Sequence, residues 1–391
     1  MRIGIDARWI FPELSGIGSY TQELIRALAA LDRRNEYWLL FQRPELEQRV
    51  SAYARLDAAP NFKTERVSFG VFSAQNQIRL PGLLRHRGLD VFHSTNYMIP
   101  FGAFPRRGNG RIKCVVTIHD MIPLLHPEWT PRALKTRCRP LFRRLMVEVG
   151  ARANVILTVS SSARQDILRL LNIAEAGSPA VVVAPNGVAP EYQPATRRDT
   201  PSSPGEEGSE KTILYVGRFD PYKNVTGLLR AFARLCELAP GPVRLVLAGA
   251  GDPRYPEAPA LARILGLEPR IRWAGYVAGP ELVRVYQQAD VFVLASKYEG
   301  FGLPVLEAMA CGTPVVCSNT SSLPEVAGDA ALLVDPADIE GLARALARVL
   351  AEPALAAALR AKGLRRAADF TWRRTGEATL KAYEQAVNFV G

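Results

Sequence analysis

Short apolar runs of strand length alternate with longer amphipathic stretches along nearly the whole 391-residue chain. Residues 114–118 and 155–160 in the first half, and 243–248 and 315–318 in the second, are rich in Val, Leu and Ile. Apolar strands that alternate with helices are typical of parallel sheets covered by helices on both faces. We therefore predict an α/β protein with doubly wound sheets, in which ligands bind beyond the carboxyl ends of the strands.

The predicted strands fall into two series. The first series comprises residues 2–6, 36–41, 90–93, 114–118, 155–160, 181–184 and, more weakly, 64–69. The second comprises residues 212–216, 243–248, 271–273, 290–295, 315–318 and 331–334. Apolar residues at helical spacing predict helices that include 17–31, 226–239, 340–351, 353–367 and roughly 373–389.

Residues 191–211 interrupt this rhythm, because they are rich in Pro, Gly, Ser and charge and lack apolar periodicity. That composition is typical of a linker. We therefore predict one domain at residues 1–190, a linker at 191–211, a second domain at 212–370 and a separate terminal helix at 371–391. The length is sufficient for two domains that each bury a core.

Composition favours a soluble globular enzyme, since 48% of the residues are hydrophobic and 22% are charged. No apolar run reaches the length of a membrane-spanning helix, and the first residues predict a strand rather than a signal peptide. The five cysteines form no CxxC pair, which suggests a reducing cytoplasm, and the four histidines lack metal-ligand spacing.

The net charge of +11 lies entirely in residues 1–190, since acidic and basic residues balance in the remainder. Many of the basic residues are close together in sequence: Arg106, Arg107, Arg111, Lys113, Arg132, Lys135, Arg137, Arg139, Arg143 and Arg144. Such a cluster suits an anionic membrane surface or a lipid diphosphate acceptor. Nucleic acid is not indicated, because no nucleic-acid-reading motif accompanies it. A merely solvated basic surface is the alternative.

The most informative stretch is EGFGLPVLEAMACGTPVV at residues 299–316. It predicts a loop that follows a strand, a helix that begins near Pro304 and ends at Gly312, and a further strand. Glu299 and Glu307 are eight residues apart and would face one crevice, with the free N–H groups of the helix start between them. Sugar hydroxyls are the ligand that we expect. The alternative is an ordinary strand–loop–helix unit with two solvated glutamates.

A second motif, GRFDPYKN at residues 217–224, follows the first strand of the second series. Gly217 frees the backbone, and Arg218 and Lys223 are five residues apart across a turn. Two cations at the carboxyl end of a strand can hold a diphosphate from two sides. A surface loop with solvated charges is the alternative.

Four weaker signals also lie at predicted strand ends. Gly16 and Gly18 precede a helix, as in phosphate-binding loops, although no GxGxxG is present and a dinucleotide is not indicated. His119 and Asp120 end a buried strand. A lone His is more often structural than catalytic, but the position of His119 beyond the carboxyl end of the strand favours a functional role. The other two are the Gly249–Gly251 turn and the segment that contains Tyr276 and Val277. Asp6 ends the first strand and is a further, weaker candidate.

Taken together, the EGFGLPVLE stretch resembles the E-x7-E signature of the retaining glycosyltransferases of family 4. GIGSY, TIHD, PNGV and GRFDPYKN also resemble motifs of that family, so the resemblance spans essentially the whole chain. It implies the GT-B fold, in which two Rossmann-like domains face each other across a cleft and the last helix crosses back to the N-terminal domain.

The resemblance also implies roles for the residues. Arg218 and Lys223 would hold the diphosphate of a nucleotide-sugar donor, and Glu299 and Glu307 would bind hydroxyls of its sugar and ribose. His119 would contact the donor sugar and a phosphate oxygen, and Asp120 would orient its ring or meet the acceptor. Further donor-binding positions are Gly16, Gly18, Gly217, Gly249, Gly251, Tyr276, Val277, Gly300, Phe301, Gly302 and Leu303.

The resemblance implies a retaining, front-face reaction in which the acceptor hydroxyl gives its proton to the departing phosphate. The sequence contains no DxD, the carboxylate pair that binds a divalent metal in the other large glycosyltransferase fold. We therefore expect no metal and no other cofactor, with the leaving diphosphate neutralised by cations and N–H groups.

Within the family, the opening of the chain with FHSTNY and TIHDMIP looks like bacterial mannosyltransferases of cell-surface polysaccharide synthesis. The expected reaction transfers mannose from GDP-mannose to a lipid-linked or oligosaccharide acceptor, at the inner face of the plasma membrane. A UDP-sugar donor such as UDP-glucose is the near alternative. A GT-B epimerase, a phosphorylase-like enzyme and a non-catalytic scaffold are more distant ones.

Overall fold

The computed structural model describes residues 1–106, 109–175, 177–195, 210–239 and 241–388. Within these ranges the predicted alternation of strands and helices is confirmed. The strands are β1 (Arg2–Asp6), β2 (Glu36–Phe41), β3 (Phe62–Arg66), β4 (Val91–Ser94), β5 (Lys113–Thr117), β6 (Val155–Thr158), β7 (Ala180–Val183), β8 (Lys211–Val216), β9 (Val243–Ala248), β10 (Ile271–Gly275), β11 (Val291–Leu294), β12 (Val315–Ser318) and β13 (Ala331–Val334).

The helices surround these strands and include several short ones that the sequence did not predict. They are α1 (Gly16–Leu31), α2 (Pro44–Tyr53), α3 (Ala74–Ile78), α4 (Leu80–His86), α5 (Ile122–Leu125), α6 (Leu134–Arg137), α7 (Arg139–Arg152), α8 (Ser161–Leu171), α9 (Val225–Leu238), α10 (Glu257–Ile264), α11 (Gly279–Gln288), α12 (Leu303–Ala310), α13 (Leu323–Ala327), α14 (Ile339–Ala351), α15 (Pro353–Ala368) and α16 (Trp372–Val387).

The chain divides into two compact units. The first contains residues 1–124, 135–187 and 371–391, and the second contains residues 125–134 and 188–370. The first unit ends at Gly187, three residues before the predicted domain end at 190. Residues 125–134 belong to the second unit, although the sequence predicts them within the first domain.

Part of the predicted linker cannot be compared with the structure, because residues 196–209 lie outside the described residues, as does Arg107 of the basic cluster. The described start of that linker is packed rather than free. The ring of Tyr192 lies 5.9 Å from the ring of Tyr286, and the amide of Gln287 donates to the carbonyl of Gln193.

The first unit has a seven-stranded parallel sheet with the order β3-β2-β1-β4-β5-β6-β7. The order reverses between β1 and β4, where Ile5 pairs with His93 and Asp6 with Ser94. β4 and β6 are buried along their whole length, as expected for strands covered on both faces. A reversal of this kind leaves a crevice at the carboxyl ends of the strands.

The last helix, α16, completes the first unit. It packs against α1 and against β4, β5 and β6. Gly376 allows the approach to α1, because a Cβ there would lie 2.8 Å from Leu31. Thr375 donates to the carbonyl of Pro185 at 2.6 Å. Gly187, in the predicted PNGV turn, lies so close to α16 that a Cβ would meet the backbone nitrogen of Trp372 at 2.1 Å.

The second unit has a six-stranded parallel sheet with the order β10-β9-β8-β11-β12-β13. Its order reverses between β8 and β11. α9 covers one part of the sheet with a buried face that includes Leu228, Phe232 and Leu235, and α14 packs beside it. The loops that follow β8 and β11 therefore emerge side by side at the carboxyl edge of this sheet.

Candidate functional site

The two strongest sequence motifs occupy these neighbouring loops of the second unit. GRFDPYKN follows β8, and EGFGLP follows β11 and leads into α12. Two bonds tie the loops together. The side-chain amide of Asn224 donates to the carbonyl of Ala295 at 3.0 Å, and the N–H of Lys297 donates to the carbonyl of Tyr222 at 2.7 Å.

Lys223 and Glu299 form an ion pair that bridges the two loops. The Lys223 Nζ lies 2.7 Å and 2.8 Å from the two carboxylate oxygens of Glu299. The side chains are only 16% and 9% exposed, so water screens the pair weakly. The Ser296 hydroxyl donates to Glu299 as well, at 2.7 Å. The carboxylate is therefore fixed in position before any ligand arrives.

Arg218 is also paired, but nearer to the surface. Its guanidinium donates to Asp220 at 3.1 Å and to Asp252 at 3.0 Å, and its side chain is 57% exposed. A hydrogen bond from Arg254, strengthened by the charges of Arg254 and Arg218, lowers the pKa of Asp252 to about 2. The carboxylate is thus ionised at neutral pH, and Arg218 keeps several N–H donors for a further anion.

Close backbone approach explains two of the predicted glycines. The Gly217 N–H donates to the carbonyl of Ala248 at 2.9 Å, and the Gly249 N–H donates to the carbonyl of Gly275 at 2.7 Å. A Cβ on Gly249 would lie 1.9 Å from the carbonyl oxygen of Gly217, which no side chain tolerates. By contrast, a Cβ on Gly251 would have only Phe219 within 4 Å, at 3.9 Å.

The start of α12 has the geometry that the sequence predicts. Pro304 lies in the first turn, and Gly302 precedes the helix at a φ of 111°, a value that favours glycine. Ser322 fixes the preceding loop by donating to the carbonyls of Glu299 and Phe301 at 2.9 Å and 2.7 Å. Within the described part of the chain, the N–H groups of Phe301, Gly302 and Leu303 have no hydrogen-bond acceptor. They are available to a ligand.

Glu307 lies one turn inside α12, and a tyrosine from α11 fixes its carboxylate. The Tyr286 hydroxyl donates to its carboxylate at 2.8 Å. Burial, together with the charge of Glu307, raises the pKa of Tyr286 well above its usual value, so the phenol keeps its proton and remains a donor. Glu307 is partly exposed and, as a carboxylate, has further acceptor positions.

A cavity of about 510 Å³ lies beside the Gly249–Gly251 turn. Its walls are largely aromatic and proline side chains. The lining residues are Phe219, Leu247, Gly249, Gly251, Asp252, Pro253, Tyr255, Pro256, Pro259, Trp273 and Gly275. Tyr276 follows Gly275 directly and is 42% exposed, whereas the neighbouring Val277 is partly buried. Flat apolar walls with one carboxylate suit a planar heterocycle better than a sugar.

In the first unit, His119 lies in the loop that follows β5. Its Nε2 is 3.0 Å from the carbonyl of Thr95, and the ring of Tyr20 meets its ring edge-on at 4.7 Å. Burial lowers the pKa of His119, which favours the neutral ring. Because a carbonyl only accepts, Nε2 carries the proton and Nδ1 is an acceptor.

Two predictions about this unit need adjustment. The orienting partner of His119 is the Thr95 carbonyl, whereas Asp120 accepts from the N–H of Ile122 at 3.1 Å. Asp6 is buried in an ion pair with Arg8 at 2.7 Å, with both side chains 1% exposed. Asp6 is therefore a structural residue, because its carboxylate is already neutralised inside the protein.

The glycines that begin α1 also have a local explanation. Ser15 caps the helix, and its hydroxyl accepts from the N–H of Gly18 at 3.4 Å. A Cβ on Gly16 would meet no atom within 4 Å, so its backbone lies in open space. Of these two predicted donor-binding positions, Gly16 is the more accessible.

The sequence missed a buried network behind His119. His93 hydrogen-bonds through Nδ1 to the Tyr383 hydroxyl and through Nε2 to the Thr117 hydroxyl, both at 2.8 Å. Thr117 in turn hydrogen-bonds to the Tyr20 hydroxyl at 3.0 Å. This chain of contacts links α16 to the ring that packs on His119. The only sequence signal was the polar FHS ending of an otherwise apolar strand.

Ser296, Ser321 and Ser322 were missed as well. They fix the Glu299 loop through side-chain hydrogen bonds, and serines in loops carry no distinctive sequence signal.

Among the described residues, no helix is both long and apolar enough to cross a membrane.

Comparison with known proteins places the chain in a family. Residues 14–192 match the model of Glycosyltransferase Family 4, and residues 196–366 match that of Glycosyl transferases group 1. The O-antigen chain mannosyltransferase B of Escherichia coli is 31% identical over 397 residues, which cover 95% of this chain and 96% of that protein.

Solved structures agree on the fold. Sucrose-phosphate synthase from Thermosynechococcus elongatus superposes with a TM-score of 0.75 at 23% identity, covering 98% of both chains. Anabaena HepE, solved in complex with UDP and glucose, superposes with a TM-score of 0.73 at 17% identity, covering 98% of this chain and 99% of that one. The chain therefore belongs to the family 4, group 1 glycosyltransferases and has the GT-B fold.

Proposed function

We propose that this glycosyltransferase moves a hexose from a nucleotide-sugar donor to a hydroxyl of a lipid-linked or oligosaccharide acceptor in cell-surface polysaccharide synthesis. Our first choice of donor is GDP-mannose. The observation that carries the proposal is the arrangement at the β8 and β11 loop ends. Two cations, Arg218 and Lys223, and the unpaired N–H groups at the start of α12 lie there beside the fixed carboxylate of Glu299.

In the proposed reaction, Arg218 and Lys223 bind the donor's diphosphate. Lys223 uses two contacts on Glu299 and retains a third N–H for a phosphate oxygen. Arg218 retains N–H groups beyond those on Asp220 and Asp252. As the glycosidic bond breaks, negative charge grows on the leaving diphosphate, and these prepositioned donors stabilise it. The reaction is proposed to need no metal ion.

Glu299 acts as a positioning group for sugar hydroxyls. Its carboxylate already has three donor contacts, which lower its reactivity as a nucleophile and leave it as an acceptor for hydroxyls. We therefore propose retention by a front-face route, in which the acceptor hydroxyl gives its proton to the departing phosphate oxygen. Glu307 is proposed to accept from ribose hydroxyls while Tyr286 holds its other side.

His119 is proposed to accept a hydrogen bond from a substrate hydroxyl through Nδ1. Donation from Nδ1 to a phosphate oxygen would require the protonated ring, which burial disfavours. This assigns the sugar-hydroxyl contact, rather than the phosphate contact, to His119.

The cavity that Phe219 and Trp273 help to line is the proposed site of the nucleobase. A purine offers a larger face for stacking than a pyrimidine, which supports GDP over UDP. The similarity to the Escherichia coli mannosyltransferase supports mannose as the transferred sugar. A UDP-hexose donor is the second candidate, favoured by the fold shared with HepE, which was solved with UDP and glucose.

We also propose that the enzyme works at the inner face of the plasma membrane, with the basic first unit against anionic lipid. The support is the charge distribution, since the whole net charge of +11 lies in residues 1–190.

A thermal-shift and calorimetric panel of GDP, UDP, GDP-mannose and UDP-glucose tests the donor assignment. We expect GDP-mannose to stabilise the protein most and to be consumed when an acceptor is added, with unchanged rate in EDTA. The anomeric configuration of the product, read by NMR, tests retention. No response to any nucleotide would overturn the proposal, and a response to UDP alone would replace GDP-mannose with a UDP-hexose.

A further inference from the structure

The outer face of α7 combines exposed aliphatic side chains with arginines. Phe142, Met146 and Val149 form the buried face of this helix. On the opposite face, Leu141 is 67% exposed and Val147 is 43% exposed. An exposed leucine alone needs no explanation, but two large aliphatic side chains on the solvent-facing half of one helix, among arginines, fit a helix that lies at a membrane interface.

The charges on and beside this face are predominantly positive. Four exposed arginines lie on α7 or just before it: Arg137, Arg139, Arg143 and Arg144. The one acidic residue of the helix is Glu148, which is already paired with Arg106 and, at 3.2 Å, with Arg152. The helix therefore offers a surplus of cations to an outside partner.

A helix in the second unit provides an internal comparison. Ile264, at the end of α10, is 80% exposed, and its neighbour Arg263 has a side chain that is 75% exposed. Arg263, however, pairs with Glu268 at 3.5 Å, and acidic and basic residues balance in this half of the chain. Both α7 and α10 therefore expose an aliphatic side chain beside an arginine. Of these two helices, only α7 lies in a region with a surplus of positive charge.

We propose that the outer face of α7 docks on an anionic lipid bilayer, with the helix axis in the plane of the membrane. Leu141 and Val147 enter the boundary between headgroups and acyl chains, and Arg143 and Arg144 bind lipid phosphates. The charge selects an anionic surface, and the aliphatic side chains select a bilayer over a nucleic acid, which has no apolar layer at its phosphates. The inference rests on the proposed function, which places the first unit against anionic lipid, and it assigns that contact to the outer face of α7.

Co-sedimentation of the full chain with vesicles tests the inference. We expect binding to phosphatidylglycerol-containing vesicles, weakened by salt, and no binding to pure phosphatidylcholine vesicles. Leu141→Ser should weaken binding on the order of tenfold, the loss of one partly inserted leucine. The double variant Arg143→Gln/Arg144→Gln should weaken it roughly 30-fold and reduce the salt dependence.

The matched controls are Ile264→Ser and Arg263→Gln on α10, which should bind vesicles as the unaltered chain does. Far-UV circular dichroism and melting confirm that each variant is folded. Equal losses in the α7 and α10 variants would overturn the inference. It would also fall if Leu141→Ser bound normally while a DNA duplex competed fully, since α7 would then be only a polyanion surface.

The donor panel separates this inference from the proposed function. Vesicle binding that depends on α7, without any thermal response to nucleotides, would sink the donor assignment and keep the docking surface. A clear response to GDP-mannose in a protein that ignores anionic vesicles would do the reverse.

Discussion

Lys223 and Glu299 are joined by a double contact, with the ammonium 2.7 Å from one carboxylate oxygen and 2.8 Å from the other. The pair connects the loop after β8 to the loop after β11, so the proposed phosphate-binding cation and sugar-binding carboxylate position each other. Each charge would be costly without its partner, because both side chains are largely buried.

Replacing Lys223 by Met should remove donor binding and destabilise the second unit by about 3 kcal/mol, since Glu299 is left as a buried charge without a cation. The double variant Lys223→Met/Glu299→Gln should regain part of the stability but none of the affinity. Urea denaturation and calorimetric titration with GDP-mannose measure the two effects. A Lys223→Met protein as stable as the unaltered chain would show that the ion pair is not formed in solution.

Arg218→Ala should cost no more than about 1 kcal/mol of stability, because the Arg218 side chain is 57% exposed, although its partners Asp220 and Asp252 are largely buried. The affinity for a nucleoside diphosphate should fall by about tenfold or more, which is the usual loss when a charge-assisted hydrogen bond is removed. The matched control is Arg254→Ala. Arg254 is also an ion-pair partner of Asp252, and its side chain is 48% exposed. Equal losses of affinity in both variants would mean that the general field, and not Arg218, attracts the diphosphate.

Stability of the first unit should depend on pH through His93. Burial, with a smaller contribution from the charge of His119, lowers the pKa of His93 to about 3. An unfolded histidine titrates near 6.5, so below that pH the unfolded chain takes up a proton that the folded chain refuses. Stability is therefore complete above about pH 6.5 and falls as the pH drops, by roughly 2 kcal/mol at pH 5.

Hydrogen exchange in β4 and β5 at pH 5 and pH 7 measures this change within the first unit. His93→Gln keeps a donor and an acceptor for Tyr383 and Thr117 and should flatten the pH profile. A residual slope is expected from His119, whose pKa is also lowered by burial. If the profile of His93→Gln matches that of the unaltered chain, the assignment to His93 is wrong.

Gly249→Ala should destabilise the second unit by about 2 kcal/mol or more, because its Cβ would lie 1.9 Å from the carbonyl oxygen of Gly217. Gly251→Ala, two residues on, should leave stability nearly unchanged, since its Cβ would come no nearer than 3.9 Å to Phe219. Thermal unfolding of the two proteins gives the comparison. Similar melting temperatures would show that the β8 and β9 ends move apart without cost.

Much of this architecture could be predicted because it depends on local chemistry. β-branched runs fix the strands, and Pro304 and Gly312 bound α12 as the sequence predicts. The two main motifs are brought together because both follow strands at the reversal of one sheet. The identity of the donor remains a prediction, since no side chain in the sequence distinguishes guanine from uracil. Retention and metal independence are predictions as well, because they rest on the family resemblance and on the lack of a DxD motif.

What could not be predicted depends on contacts distant in sequence. Lys223 and Glu299 are 76 residues apart, and His93 meets Tyr383 across 290 residues. Such pairings follow from how strands are ordered in a sheet, which spacing along one chain does not reveal.

The position of α16 has a consequence for how the protein is made. Its residues complete the first unit by covering β4, β5 and β6, and Tyr383 supplies the partner of buried His93. During synthesis, residues 1–187 leave the ribosome before α16 has been made, and the first unit is complete only when α16 follows. At ordinary elongation rates that delay is roughly 10–40 s. In that interval the second unit can finish folding. The first unit meanwhile exposes the face of its sheet that α16 later covers, which is an apolar surface of the kind that chaperones bind.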